Sequence, residues 1–175
     1  MSERSTQVAT PEYRESVNRA ATQMFGLDYD GMLDVSDHAI DPDGALDRCF
    51  SNRVPPRMFL RVLGEHNHLA QVDGDPDLTR RVNERTLALS CFVSSNRRWV
   101  PDGNGGAVMR TSQGDVTLSV LTVRGQVGFS VTAPDGDVVA MSDIGDTVQA
   151  YLNNQRMKMQ SSRDLGPGTA TPGMN

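Results

Sequence analysis

Residues 107–141 constrain the fold of this chain more than any other stretch. Val116, Leu118 and Val120 alternate with polar residues, and Val127, Phe129 and Val131 do the same. Period-two alternation sends one set of side chains to each face of a strand. Four strands are expected, at 107–111, 115–123, 126–133 and 137–141, joined at Gln113-Gly114, Arg124-Gly125 and Asp135-Gly136. Asp-Gly between apolar runs is the strongest short hairpin signal, because both central positions of the favoured turn need positive φ. Connections this short cannot carry a crossover, so the expected sheet is an antiparallel meander.

Helical spacing surrounds this sheet on both sides. Thr10-Pro11-Glu12 reads as a cap, a first-turn proline and a first-turn acid, and predicts a helix over 11–25 ended by Gly26. A short helix is expected near 44–50. Another should begin at Pro55-Pro56, carry Met58, Phe59, Val62 and Leu63 as its apolar stripe, and stop at Gly64. Asp75-Pro76 opens a third, with Leu78, Val82, Leu89, Phe92 and Val93 as its buried face. Residues 94–106 read as a polar loop. After the sheet, Ile144, Val148, Tyr151 and Leu152 form the stripe of a closing amphipathic helix over about 143–158, extended by Met157 and Met159.

The expected fold class is therefore α+β: N-terminal helices, a four-stranded antiparallel β-meander, and a closing C-terminal amphipathic helix. It forms a single domain over 10–160, helical over 10–93, with a flexible arm over 1–9 and a flexible tail over 161–175.

Composition narrows the partners. The 175-residue chain carries 22 acidic against 17 basic residues, a net charge of −5. Phosphate backbones select clustered positive charge, so a general polyanion binder is not expected. The N-terminal residues are polar and contain no signal-peptide apolar region, and no apolar run reaches membrane-spanning length. The expected location is the cytoplasm, or a particle assembled there. Cys49 and Cys91 both lie in apolar settings and read as buried thiols; spacing alone leaves their pairing open.

The sequence offers four kinds of candidate site. Glu65-His66-Asn67-His68 places two imidazoles at i, i+2, which on a strand point the same way and can chelate a metal, with Asp73 or Asp75 nearby. His66, His68 and Asp73 are thus the candidate metal set, although no third ligand sits at a recognised spacing. Asp73-Gly74-Asp75-Pro76-Asp77 with Glu84 partly matches a calcium loop, but Leu78 occupies the position that demands glycine, so a helix cap is expected instead. Asp28-Tyr29-Asp30-Gly31 and Asp41-Pro42-Asp43-Gly44 lack the downstream acid and read as turns. Arg97-Arg98-Trp99 with Arg80, Arg81 and Arg85 could bind nucleic acid through guanidinium and aromatic contacts. Ser90 or Cys91 with His38, His66 or His68 could in principle make a nucleophilic pair, yet no nucleophile elbow occurs and Cys91 lies toward a helix C-terminus, where the dipole disfavours thiolate.

With no coherent catalytic constellation and no cofactor motif, the expected function is that of a non-catalytic structural or assembly component, such as a small virion or bacteriophage particle subunit. It would hold protein partners, as a homo- or hetero-oligomer, through a sheet edge, a Met-rich helix and its terminal arms. A metal-binding domain or metal-dependent enzyme using His66 and His68, and a small nucleic-acid-binding regulator, are the alternatives.

Overall fold

The computed structural model describes residues 6–33 and 41–165. Among the described residues, five α-helices and one antiparallel sheet follow in chain order. They are α1 (Pro11–Phe25), α2 (Pro42–Ser51), α3 (Pro56–His66), α4 (Pro76–Ser95), strands β1 (Val100–Pro101), β2 (Ala107–Thr111), β3 (Gly114–Val123), β4 (Gln126–Thr132) and β5 (Val138–Met141), then α5 (Ile144–Asp164). A short 3-10 turn at Asp30–Met32 lies between α1 and α2. No helix among the described residues is long and apolar enough to cross a membrane.

The helix starts follow the sequence logic. Thr10 accepts from the Tyr13 N–H, and Asp75 accepts from the N–H groups of Asp77 and Leu78. Each side-chain oxygen thereby satisfies donors that the first helical turn leaves free. Gly26 closes α1 in the left-handed region, at φ 72°. A Cβ there would also come within 2.9 Å of the Pro76 carbonyl, so glycine lets α1 end directly against the start of α4.

The sheet is a meander in the order β1-β2-β3-β4-β5. The expected four strands are joined by a fifth, β1, whose two residues pair Val100 with Val108 and Pro101 with Ala107. A two-residue bridge containing proline leaves no periodic trace, so the stretch reads as loop. The β3–β4 turn has positive φ at both Arg124 (51°) and Gly125 (76°), the two-residue form. Asp135-Gly136 is not that form. Only Gly136 has positive φ, and Ala133 N–H donates to the Asp137 carbonyl while Gly136 N–H donates back to Ala133. The turn is a longer one with a glycine bulge.

One sheet face is covered by α4 and α5. Its rows are Ala107, Leu118, Val131 and Val139; Met109 and Val116; and Val120, Phe129 and Met141. All but Met141 belong to a core that also takes in Leu89 and Val93 of α4, Trp99, and Tyr151 of α5. A second core lies among the first helices and gathers Val17, Ala21 and Phe25 of α1 with Tyr29, Met32, Leu46 and Leu60.

Several expectations are corrected at this level. Gly64 does not stop α3; it is buried two residues before the helix end, where any Cβ would strike the Phe25 ring. The buried face of α4 is Thr79, Asn83, Thr86, Leu89 and Val93, and Leu78, Val82 and Phe92 are only half-buried. The closing helix continues to Asp164, so residues 161–164 are helix and not tail. Met157 and Met159 are 64% and 62% exposed and do not extend the buried stripe. Within the expected flexible arm, residues 6–9 are docked on α2. Gln7 exchanges hydrogen bonds with Ser51, Ala9 N–H donates to Asp47, and Ala9 is buried. Residues 1–5 and 166–175 lie outside the described residues, as do Asp34, Asp37 and His38.

Candidate functional site

Asn83 holds the two cores in register. It is fully buried on α4, and its amide donates to the carbonyls of Phe25 and Ala70, each at 2.8 Å, while its Oδ1 accepts from Ala70 N–H at 2.8 Å. One side chain thus ties the end of α1, the loop after α3 and the middle of α4 together. Nearby, Val72 N–H donates to the Met24 carbonyl at 2.7 Å. This stitching positions a cleft on the far side of the same loop.

The cleft has a volume of about 360 Å³ and lies between the end of α3, the middle of α4 and the β1–β2 turn. His66 and His68 both border it, with Leu89, Val93, Trp99 and Gly105 among its walls. The two histidines do not lie on a strand. His66 is the last residue of α3, and His68 takes a left-handed backbone at φ 55°. The turn opposite is built for close approach: Gly105, at φ 84°, would place a Cβ only 3.2 Å from that of His68. Asp102 organises the turn by accepting from the N–H groups of Asn104 and Gly106.

Asp73 is not part of this cleft, and no three His, Cys, Asp or Glu side chains among the described residues are placed to hold a metal ion. Asp75 is engaged as the cap of α4, and Asp28 accepts from Gly31 N–H at 2.7 Å as a turn-former. Arg80 pairs with Asp77 and Glu84, and Arg81 pairs with Asp77 and donates to the Gly125 carbonyl. Arg97 and Arg98 follow the other end of α4. Roughly 22 Å of helix separates Arg80 from Ser95, so these cations do not form one patch. Trp99 is 4% exposed and belongs to the core, so it offers no stacking platform. Cys49 and Cys91 are free and half-buried. Burial raises the Cys49 thiol pKa, opposed by Arg48, which is the wrong direction for a nucleophile.

A second feature was legible only as a general property of meanders. The sheet has two unlike edges. The β1 edge is blunted by its two-residue length and Pro101. The β5 edge, Val-Val-Ala-Met, has neither proline nor charge, and Val138 is 59% exposed. Its hydrogen-bond phase follows from the turn. Ala133 N–H bonds the Asp137 carbonyl, and bonded pairs alternate along an antiparallel ladder, so Val139 and Met141 face β4. The N–H and C=O groups of Val138 and Ala140 therefore point away from the sheet.

Next to this edge lies the sheet face that no helix covers. Its rows run Val108, Thr117, Thr132 and Val138, then Ser119, Ser130 and Ala140, then Leu121 and Gly128. Its only charged cross-strand pair is Arg110 with Asp115. A shallow recess of about 460 Å³ opens beside the edge, with Leu121, Val123, Gly128, Ala140 and Met141 among its walls. Comparison with known family models, curated proteins and solved structures returns no match to this chain.

Proposed function

We propose that this protein is a non-catalytic protein-binding component whose β5 edge takes an extended segment of a partner. The observation that carries the reading is the outward phase of Val138 and Ala140 on a strand with no device to block pairing. An added strand would satisfy those backbone groups, and its alternate side chains would reach the recess beside Ala140.

Charge decides what kind of segment fits. The edge is flanked by Asp135 and Asp137 at one end and Asp143 and Asp146 at the other, against Lys158 and Arg124. A second copy of this chain pairing antiparallel through the same outward groups would set Asp137 or Asp135 opposite Asp143, twice by symmetry. Like charges directly opposite destabilise a strand pair. A partner strand with an apolar middle and basic ends avoids this penalty and meets the acidic flanks.

The test uses dye-labelled peptides sharing a Val-Thr-Val-Thr-Val centre, one ending in arginines and one in glutamates, measured by fluorescence anisotropy. The basic-ended peptide should bind, and more weakly in high salt. Ala140→Pro removes an outward donor without touching the bonds to β4, and should weaken binding by about tenfold or more while circular dichroism is unchanged. Equal binding of the glutamate-ended peptide, or indifference to Ala140→Pro, would sink the proposal. Light scattering on the chain alone should report a monomer.

A further inference from the structure

We propose that Asn104, in the β1–β2 turn, is a self-modifying site, where the Gly105 nitrogen displaces the side-chain amide and water completes the conversion to aspartate or isoaspartate. The site is independent of the β5 edge.

The step is an intramolecular acyl transfer. The deprotonated Gly105 nitrogen attacks Asn104 Cγ, a C–N bond forms, and the side-chain nitrogen leaves as ammonia. Water then opens the five-membered imide. Opening at the former amide carbon gives aspartate. Opening at the main-chain carbonyl gives isoaspartate, whose backbone runs through Cβ and is one methylene longer.

The turn leaves the reacting pair free while fixing its surroundings. Asp102 Oδ1 accepts from the Asn104 N–H at 2.7 Å and the Gly106 N–H at 3.0 Å, but the Gly105 N–H between them donates to no group among the described residues. The Asn104 side chain is exposed and makes no hydrogen bond among those residues. Gly105, at φ 84°, has no Cβ to crowd the closing ring. Nucleophile and electrophile are neighbours in one chain, so their encounter is effectively unimolecular.

Other positions lack one of these conditions. Asn104 is the only asparagine followed by glycine. Among the Asp-Gly pairs, Gly31 N–H is held by Asp28 Oδ1 at 2.7 Å and Gly136 N–H by the Ala133 carbonyl at 3.0 Å, while Gly44 lies within α2. Asp73 and Asp102 present carboxylates, which resist attack by nitrogen at neutral pH.

The turn has no slack for the longer product. A Cβ on Gly105 would stand 3.2 Å from that of His68, and one on Gly106 would stand 2.8 Å from the Leu118 carbonyl. An extra methylene pulls on the two-residue β1 ladder and on buried Trp99 beside it.

The full chain is incubated at mildly alkaline pH and digested with trypsin beside an unincubated control. Peptide 99–110, bounded by Arg98 and Arg110, is followed by mass spectrometry. It should exchange ammonia for water about tenfold or more faster than any other asparagine-bearing peptide, at a rate that rises with pH. Asn104→Gln must close a six-membered ring, and should abolish the change with the thermal midpoint unaltered. Trp99 is the chain's only tryptophan, and its emission should move to longer wavelength as wild type converts and stay fixed in Asn104→Gln. An intact 99–110 peptide after several weeks, conversion no faster than elsewhere, or equal conversion in Asn104→Gln overturns the site. Unaltered emission from fully converted chain overturns the strain on β1.

Discussion

The helical and sheet halves of this molecule are held together on different terms. In the sheet half, burial is spread along rows: Ala107, Leu118, Val131 and Val139 share one line across four strands, and each contributes a modest increment. In the helical half, order depends on a few point contacts. Gly64 meets the Phe25 ring with no room for a methyl group, and Asn83 alone satisfies three backbone groups from two separate segments. A distributed core tolerates single changes, whereas a point contact does not.

The largest test of that contrast is Asn83→Leu. The substitution keeps the volume but strands the buried Phe25 carbonyl, at about 1–3 kcal/mol, and removes two part-buried bonds to Ala70, at about 0.5–1.5 kcal/mol each. The expected loss is about 4 kcal/mol, read as a lower denaturation midpoint. Val139→Ala, in the sheet, should cost about 1–2 kcal/mol because its neighbours share the load. Equal losses at the two positions would refute the comparison.

Next in size is Gly64→Ala, at about 2 kcal/mol, because the new methyl group must displace an aromatic ring in a packed core. The same change made on a Phe25→Ala background should cost nothing or restore stability. That non-additivity is what direct contact requires. Additive losses would mean that Gly64 matters for backbone freedom alone.

The same contrast explains what the sequence revealed. Alternation is readable because a sheet with one buried face must repeat every second residue, so Val116 to Val131 announced their strands and faces. Caps are local, so Thr10 and Asp75 were readable too. Contacts between distant segments leave no local trace. A glycine near a helix end resembles a stop, and only the Phe25 ring reveals Gly64 as a close-packing residue. An asparagine on a helix resembles a solvent position, and Asn83 becomes a buried clip only when Ala70 and Phe25 arrive beside it. The cleft was half legible. His66 and His68 stand out as a pair, but the approach of Gly105 to His68 joins distant segments, which no spacing encodes.

The sheet half has its own point of local strain, and relieving it tests the comparison with opposite sign. Arg124 holds a left-handed backbone at φ 51° in the two-residue β3–β4 turn. Asparagine adopts that region at lower cost and precedes glycine in the preferred form of this turn. Arg124→Asn should raise stability by about 0.5 kcal/mol, visible as a small increase in the thermal midpoint. A decrease would show that the arginine makes a contact worth more than the strain.

The smallest effect is expected where the two layers of the sheet half are joined by charge. Lys158, the only lysine, reaches from α5 to Asp135 at 2.8 Å and also to Asp137 across the β4–β5 turn. All three groups are solvent-exposed, so the link is weak and salt-sensitive. Its pH dependence has a definite sign. The Lys158 hydrogen bond, helped by the Asp137 N–H, holds the Asp135 carboxyl below its usual 3.8. That contribution is present above the unfolded value and lost as pH falls through the folded one. Bonding to the two aspartates raises the Lys158 pKa above its usual 10.5, so its own contribution persists through neutral pH and is lost only as pH rises through the folded value. Wild type should therefore melt slightly above Lys158→Met at neutral pH and low salt. The gap should narrow as pH falls through the folded value of Asp135, below 3.8, and also in molar salt. A gap that survives both treatments would assign Lys158 to packing of its stem against the turn, and the sheet half would then own a point contact of the helical kind.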